Sequence, residues 1–593
     1  MKAQAGLVWM MLRRSWAVAP IASIVITVTI VAQFGSTLAI ATLQREILNQ
    51  VEQPAMTAFV AVLVVGMGVA YAAAAAGNRI QNNLRSMVAE RLNQELRTEV
   101  LRGATVTPRV DQFDRPDYLD HLHRVTSNTQ RLAALPWDLI SAAALSIALG
   151  GSLVVLAQVN PWLIGLAVVA IPPLLLGGLS RRQIRTAQDR AAGVERQESV
   201  LHGYVSNPET AKEIRVGESH HAIDTICTDL WTTVRRTVLA GHLRSLAITY
   251  GGWLVFVTGY LAAIGLTAWL VIVQRATLGD LALVITLGEQ MRNQVQGFVF
   301  NLNTVGDGTH IARQYQWLRD QTPTEAVSGE SIPTPSILRS GINLDRVSLT
   351  YPGQDIAAVD EISTHLPAGS VVALLGENGA GKTTLAKLLL GQYAPDEGTI
   401  SIDGHPANLI DPHAWAAHTS GLVQDFAKLQ GPIREAVSVG AATSLTNREI
   451  REAVDAAHAG AIVDDLPDGI NTQLGLAFGS RDLSHGQWQR LALARGLTRP
   501  QPLLMVLDEP TSALDPQVEH QLFDAFFTRA AEIAHSHGGI ALVVSHRLST
   551  TSQADLILVM EHGRIVESGT HGTLMAAAGR YAELYTIQNH AYH

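Results

Sequence analysis

Charge is scarce in this chain. Only 16% of its residues are Asp, Glu, Lys or Arg, where a soluble domain carries about a quarter. That deficit implies that part of the polypeptide lies in lipid. Aromatics make up 5%. No long basic run is present and the net charge of -9 is modest for 593 residues, so nucleic acid is not an implied partner. The single cysteine, Cys227, excludes an intrachain disulfide and a multi-cysteine metal site, and reads as a small, partly buried filler. What replaces charge is apolar residue, 47% of the total. The length implies at least two domains.

The apolar residues are gathered in long runs. Ala17–Leu43, Ala55–Gly77, Ile140–Val159, Pro161–Ser180 and Leu246–Val273 hold no charged residue. A helix of about 20 apolar residues crosses a hydrocarbon core of roughly 30 Å, and in lipid each backbone group must bond within its own segment. Six membrane helices are expected, at about 17–43, 55–77, 139–159, 161–180, 246–273 and, more polar, 280–305. Lys2, Arg13 and Arg14 ahead of the first run resemble the flank of a leader, but that run is about twice a leader's length and reads as a span. The connection 78–135 carries nine arginines; 181–245 carries nine and Lys212, while the opposite loops hold only Arg45 and Arg275. The two long loops, both helical in pattern, and the N-terminus therefore face the cytoplasm. An all-α membrane domain is expected over 1–319, a Pro- and Ser-rich linker over 320–340, and an α/β nucleotide-binding domain over 341–593.

That last assignment rests on one loop. The apolar run Val371–Leu375 leads into Gly376-Glu377-Asn378-Gly379-Ala380-Gly381-Lys382-Thr383-Thr384, a P-loop in its required place between strand and helix. Glycines let consecutive N–H groups face a polyphosphate, and the helix N-terminus adds positive potential. Lys382 reaches the terminal phosphates; the Thr383 hydroxyl is a magnesium ligand. A second run, Leu503–Leu507, ends in Asp508 and Glu509. Behind a P-loop, Asp508 is the expected magnesium partner and Glu509 the group that orients or deprotonates water.

Further motifs follow in order. Leu483-Ser484-His485-Gly486-Gln487 resembles the signature sequence of ABC ATPases, Gln424 the Q-loop, Ser512-Ala513-Leu514-Asp515 the D-loop, and His546 the switch histidine. Tyr351 sits where that family stacks adenine. The membrane half resembles the six-helix exporter type, with Phe113–Tyr118 and Asn207–Glu218 at its coupling helices and Thr277-Leu278-Gly279-Asp280 before the last span. The resemblance implies an ABC half-transporter of the cytoplasmic membrane that binds ATP and Mg2+. Glu509, His546 and Gln424 would be catalytic, and Thr383, Gln424 and Asp508 would hold the metal. Ser484, His485, Gly486 and Gln487 would reach the ATP of a second subunit, so the expected partner is another half-transporter. Because Glu509 is retained, a homodimer is favoured, with a heterodimer as the alternative.

Two positions depart from the family. His485 stands where glycine is usual, and Gly475–Gly479 lacks the acidic residue common there. Function with altered rate or affinity is expected from the first. In the sixth span Glu289, Arg292, Asn293 and Gln296 share one helical face, opposite Gly288, Met291 and Val295. Such a face suits a water-filled cargo path, unless Glu289 and Arg292 simply pair with each other. The cargo expected is a peptide or other amphipathic molecule, with a lipid flippase or a metal-chelate importer as alternatives. Trp488 resembles the residue after the signature in peptide exporters.

Overall fold

A computed structural model of the chain describes residues 2–51, 57–106, 109–321, 332–441, 443–479, 482–509, 527–528, 530–532, 534, 538–545 and 551–591. The chain divides into two compact units, Met1–Val100 with Leu122–Trp317, and Leu101–His121 with Leu318–His593.

The first unit is helical. It contains α1 (Lys2–Val18), α2 (Pro20–Val51), α3 (Thr57–Val106), α4 (Pro116–Val159), α5 (Gly165–Val169), α6 (Ile171–Ser206), α7 (Pro208–Val216), α8 (His220–Ile272) and α9 (Leu278–Gln321), with α3, α4 and α9 continuing into the second unit. Five helical segments among the described residues are long and apolar enough to cross a membrane: Pro20–Gln50, Ala58–Thr105, Pro116–Val159, Pro161–Ser206 and His220–Ile272. Helix α9 has comparable length but carries Asp280, Glu289, Arg292 and Asp307, which removes it from that set. At the third turn of chain direction, Asn160 Oδ1 accepts the Trp162 N–H at 2.9 Å, and Pro161 takes the first helical position, where its missing N–H costs nothing. Thr277 and Asp280 cap α9 reciprocally: the Asp280 carboxylate accepts the Thr277 N–H at 2.9 Å, and the Thr277 hydroxyl accepts the Asp280 N–H at 3.1 Å. Asp280 also pairs with Arg45 Nε at 2.7 Å.

Helices α6 and α8 lie in close contact, and small residues permit it. A Cβ on Gly241 would stand 2.4 Å from that of Ala187, and one on Gly252 would stand 3.2 Å from the Pro173 Cα. Between them the buried Ser180 and Ser245 hydroxyls meet at 2.5 Å, and Thr249 donates to Ser180 at 2.9 Å. Beyond the apolar stretch, Glu99 gathers partners from two other helices, accepting from Arg14 at 2.5 Å and from the Tyr315 hydroxyl at 2.6 Å.

The second unit is α/β. A four-stranded antiparallel sheet runs β2-β1-β4-β5, from β1 (Gly341–Leu349), β2 (Val359–Pro367), β4 (Glu397–Ile402) and β5 (His405–Pro406). A six-stranded sheet runs β10-β9-β3-β8-β7-β6, from β3 (Val371–Gly376), β6 (Thr419–Leu422), β7 (Leu504–Asp508), β8 (Ile540–Val544), β9 (Leu556–Glu561) and β10 (Arg564–Gly569). All its pairings are parallel except β9 with β10. Parallel strands are covered on both faces, so β3 is apolar at every position. Its Val371, Ala373 and Leu375 enter the core beside the helices, while Val372 and Leu374 enter the core beneath the antiparallel sheet. The P-loop thus leaves the end of a strand anchored on both sides.

Replacing Gly241 by Leu should force α6 and α8 apart at a cost of about 2 kcal/mol, read as a lowered unfolding midpoint in detergent. An unchanged midpoint would contradict the contact.

Candidate nucleotide site

The loop after β3 turns on glycines that no other residue could replace without strain. Gly376 has φ 151° and Gly381 φ 98°. A Cβ on the first would meet the Met560 carbonyl oxygen at 2.3 Å, and one on the second the Ala358 oxygen at 2.2 Å. Helix α10 (Lys382–Leu389) starts at Lys382. The Lys382 side chain folds back over its own loop, and Nζ donates to the Gly376 and Glu377 oxygens at 2.8 and 2.9 Å. Burial pushes this ammonium below its ordinary pKa, while Glu509 and Asp508 pull it back. An amine so placed is held by weak acceptors that a phosphate can replace.

Asp508 ends β7 and is 2% exposed. Burial raises its carboxyl, opposed by a hydrogen bond from Thr383. One oxygen, Oδ1, is buried without any hydrogen-bond partner. A buried carboxylate oxygen left open costs free energy, and with the Thr383 hydroxyl beside it the oxygen set suits a hard divalent cation such as Mg2+.

Glu509 follows with φ 47°, a left-handed conformation that turns its side chain out of the strand and that non-glycine residues adopt only under constraint. Its N–H donates to the Val544 oxygen at 3.1 Å. The Gln424 amide donates to its carboxylate at 3.4 Å, and Gln489 Nε2 donates to its carbonyl at 3.1 Å. Gln489 lies on α11 (His485–Gly496), so the helix carrying the signature turn is tied to the end of β7. Sequence reading missed Gln489, because nothing in its local pattern reports a contact twenty residues away.

At the start of α11, Ser484 and Gln487 cap each other: the Ser484 N–H donates to Gln487 Oε1 at 2.8 Å, and Ser484 Oγ accepts the Gln487 N–H at 3.3 Å. His485 packs its ring 5.2 Å from that of Phe426, and Gly486 lies in the first turn. Trp488 is buried at 2% exposure and donates to Asp482 Oδ1 at 2.9 Å, which makes it a core residue and no indicator of cargo. Asp515 and His546 lie outside the described residues, as does the stretch 322–331 of the expected linker.

Tyr351, Asn378, Gly379, Ala380 and Thr384 complete the predicted set. The Tyr351 hydroxyl is 3.2 Å from Thr384 Oγ1, and its ring meets that of Tyr393 edge-on at 5.5 Å. Lys387 Nζ stands about equally over both rings, at 6.0 and 5.8 Å. Tyr393 in turn donates to Asp114 Oδ2 at 2.5 Å, and burial with this carboxylate pushes its phenol well above the ordinary range. The Val110 N–H donates to the Gln392 oxygen at 2.9 Å. The turn between α3 and α4, where Phe113–Tyr118 was expected to form a coupling helix, is therefore fastened beside the aromatic residue of the nucleotide site. Asp111–Asp114 forms a single 3-10 turn and Pro116 opens α4.

The cargo-face residues lie in the helical unit. Arg292 pairs with Glu289 and donates to Asn293 Oδ1 at 3.4 Å on an exposed stretch of α9. Glu289, Arg292, Asn293 and Gln296 are exposed while Met291 and Val295 are buried.

Membrane-length helices, a P-loop on a parallel sheet and a capped signature turn occur together in this one chain. Residues 359–512 match the ABC transporter family model. The whole chain has the fold seen in the structure of a bacterial Atm1-family ABC exporter with ATP bound, with a TM-score of 0.77 over 96% of this chain and 99% of that one, at 22% identity. Among curated relatives, the ATP-dependent lipid A-core flippases of Ralstonia nicotianae and Dechloromonas aromatica are each 40% identical, over 252 and 247 residues. That of Bordetella pertussis is 38% identical over 271. These matches cover 42%, 42% and 46% of this chain and 41%, 41% and 42% of the relatives, so the chain matches about two-fifths of their length. The chain thus joins an ABC-type ATP-binding domain to helices long and apolar enough to cross a membrane, in the fold of an ABC exporter.

Tyr393→Phe removes one hydrogen bond to a carboxylate, worth about 1.5 kcal/mol. Amide exchange over 109–118 should rise roughly tenfold, with 371–389 unaffected. Equal exchange in both proteins would show that the turn is held by something else.

Proposed function

We propose that this chain is one subunit of a homodimeric, ATP-driven exporter of the cytoplasmic membrane, with α9 as a sixth span, that moves an amphipathic molecule of the lipid or lipid-linked class. The observation carrying the ATPase reading is the placement of Lys382, the open Asp508 oxygen and the Gln424–Glu509 pair at the ends of β3, β7 and β6, parallel strands of one sheet.

Thr383, Gln424 and Asp508 would hold Mg2+, which would supply positive charge beside the polyphosphate. Lys382 exchanges its two carbonyl partners for phosphate oxygens. Tyr351 stacks on the adenine. Glu509, oriented by Gln424, accepts the proton of the attacking water as its oxygen bonds to the γ-phosphorus and the bond to the β-phosphate bridging oxygen breaks. Residues Ser484–Gln487 close the site of the second subunit, so neither subunit hydrolyses alone. Ser484 must leave part of its capping role to reach a phosphate, and His485 narrows the approach. His546 and Asp515 are assigned to the same step by motif.

Fastening of the α3–α4 turn to Tyr393 ties that turn to the nucleotide site. In the membrane half, the outward polar face of α9 contributes to the path between subunits. Its Glu289 and Arg292 neutralise each other, so the path suits a molecule with a polar head and an apolar body more than an ion. The names of the curated relatives favour the lipid class over a peptide.

ATP turnover in nanodiscs should rise with a glycolipid of the lipid A type and stay at its basal rate with unstructured peptides. Stimulation by peptides alone would overturn the cargo class.

A further inference from the structure

The loop expected to cradle phosphates contains an acid, and the far end of the chain holds it. Arg580 Nη2 donates to Glu377 Oε1 at 2.7 Å across 203 residues. Arg580 opens the last helix, Arg580–Ala591. Its guanidinium is shared among three carboxylates, with Nε on Glu561 Oε1 at 2.6 Å and Nη1 on Glu583 Oε2 at 2.8 Å. A planar fork of donors meets such a constellation where an ammonium could not.

The helix is docked by other means. Glu567 accepts the Arg580 and Tyr581 N–H groups at 2.6 and 2.9 Å. Tyr581 is fully buried and its hydroxyl is 2.8 Å from His571 Nδ1. The arm to Glu377 is therefore additional to docking. It also reaches the residue whose carbonyl receives Lys382, so one cation holds Glu377 by its backbone and another by its side chain. A carboxylate beside a polyphosphate repels it unless paired.

We propose that Arg580 is a positioning residue for nucleotide: by neutralising Glu377 and holding its carboxylate on the last helix, it keeps the phosphate cradle electropositive. This rests on the ATP-binding reading above. ATP affinity then depends on the docking of the C-terminal helix, although no residue of that helix has been assigned to the cradle itself.

The test is a double-mutant cycle in full-length protein in nanodiscs, reading KM for ATP and kcat. Because the pair is partly exposed, Arg580→Ala should raise KM about fivefold with kcat unchanged, and adding Glu377→Gln should return KM to within about twofold of wild type. A purely structural role would lower kcat or stability and would not be rescued. Unchanged KM in Arg580→Ala, or no rescue, overturns the proposal. Should Arg580→Ala fail to fold, Glu377→Gln alone decides, since loss of the acid must lower KM and a raised KM contradicts the claim. Failure of the ATP-binding reading is distinguishable, because then Lys382→Ala would bind ATP as wild type does.

Discussion

Everything in the ATPase domain leans on keeping charge dry at the ends of β3 and β7. Lys382 and Asp508 are 6% and 2% exposed, and each alone would be costly to bury. Their proximity, two loop carbonyls and the Thr383 hydroxyl offset part of that cost. The remainder persists as an unpartnered Asp508 oxygen, and a cation–polyphosphate ligand is what would complete the set. Strands apolar on both faces are needed to exclude water there, and Gly376 and Gly381 are needed to let the loop approach Met560 and Ala358. Binding capacity and folding stability are set against each other at this point, as is usual for functional sites.

Around that centre the other contacts serve as supports. Gln489 fixes the signature helix to the Glu509 carbonyl. Tyr393 fixes the α3–α4 turn beside Tyr351. Arg580 fixes Glu377. Each support comes from a different segment, and of the three Arg580 is the one that acts on the phosphate loop itself.

Legibility from sequence followed the range of the interactions. The P-loop could be read because its glycines answer a local need for positive φ, and the five charge-free runs because lipid tolerates no alternative composition. Helix α9 was legible as a helix with a polar face, yet its Asp280, Glu289 and Arg292 keep composition alone from marking it as a span. Glu289 and Arg292 pair with each other on an exposed stretch of that helix. Trp488 read as a hint of cargo and proved to be core, since a buried indole near a signature turn looks the same in either role. Tyr393 with Asp114, and Arg580 with Glu377, span 279 and 203 residues. No periodicity or motif reports contacts of that separation, and only the folded chain brings them together.

The central claim is that Glu509 drives ATP turnover in an assembly built from this chain alone. The most direct measurement is steady-state hydrolysis by the purified chain in nanodiscs beside its Glu509→Gln variant. The account predicts turnover by the first, a loss of about 10²-fold or more in the second, and retained ATP binding in both. Equal turnover in the two would contradict the role of Glu509, and silence from an ATP-binding wild type would contradict the homodimer.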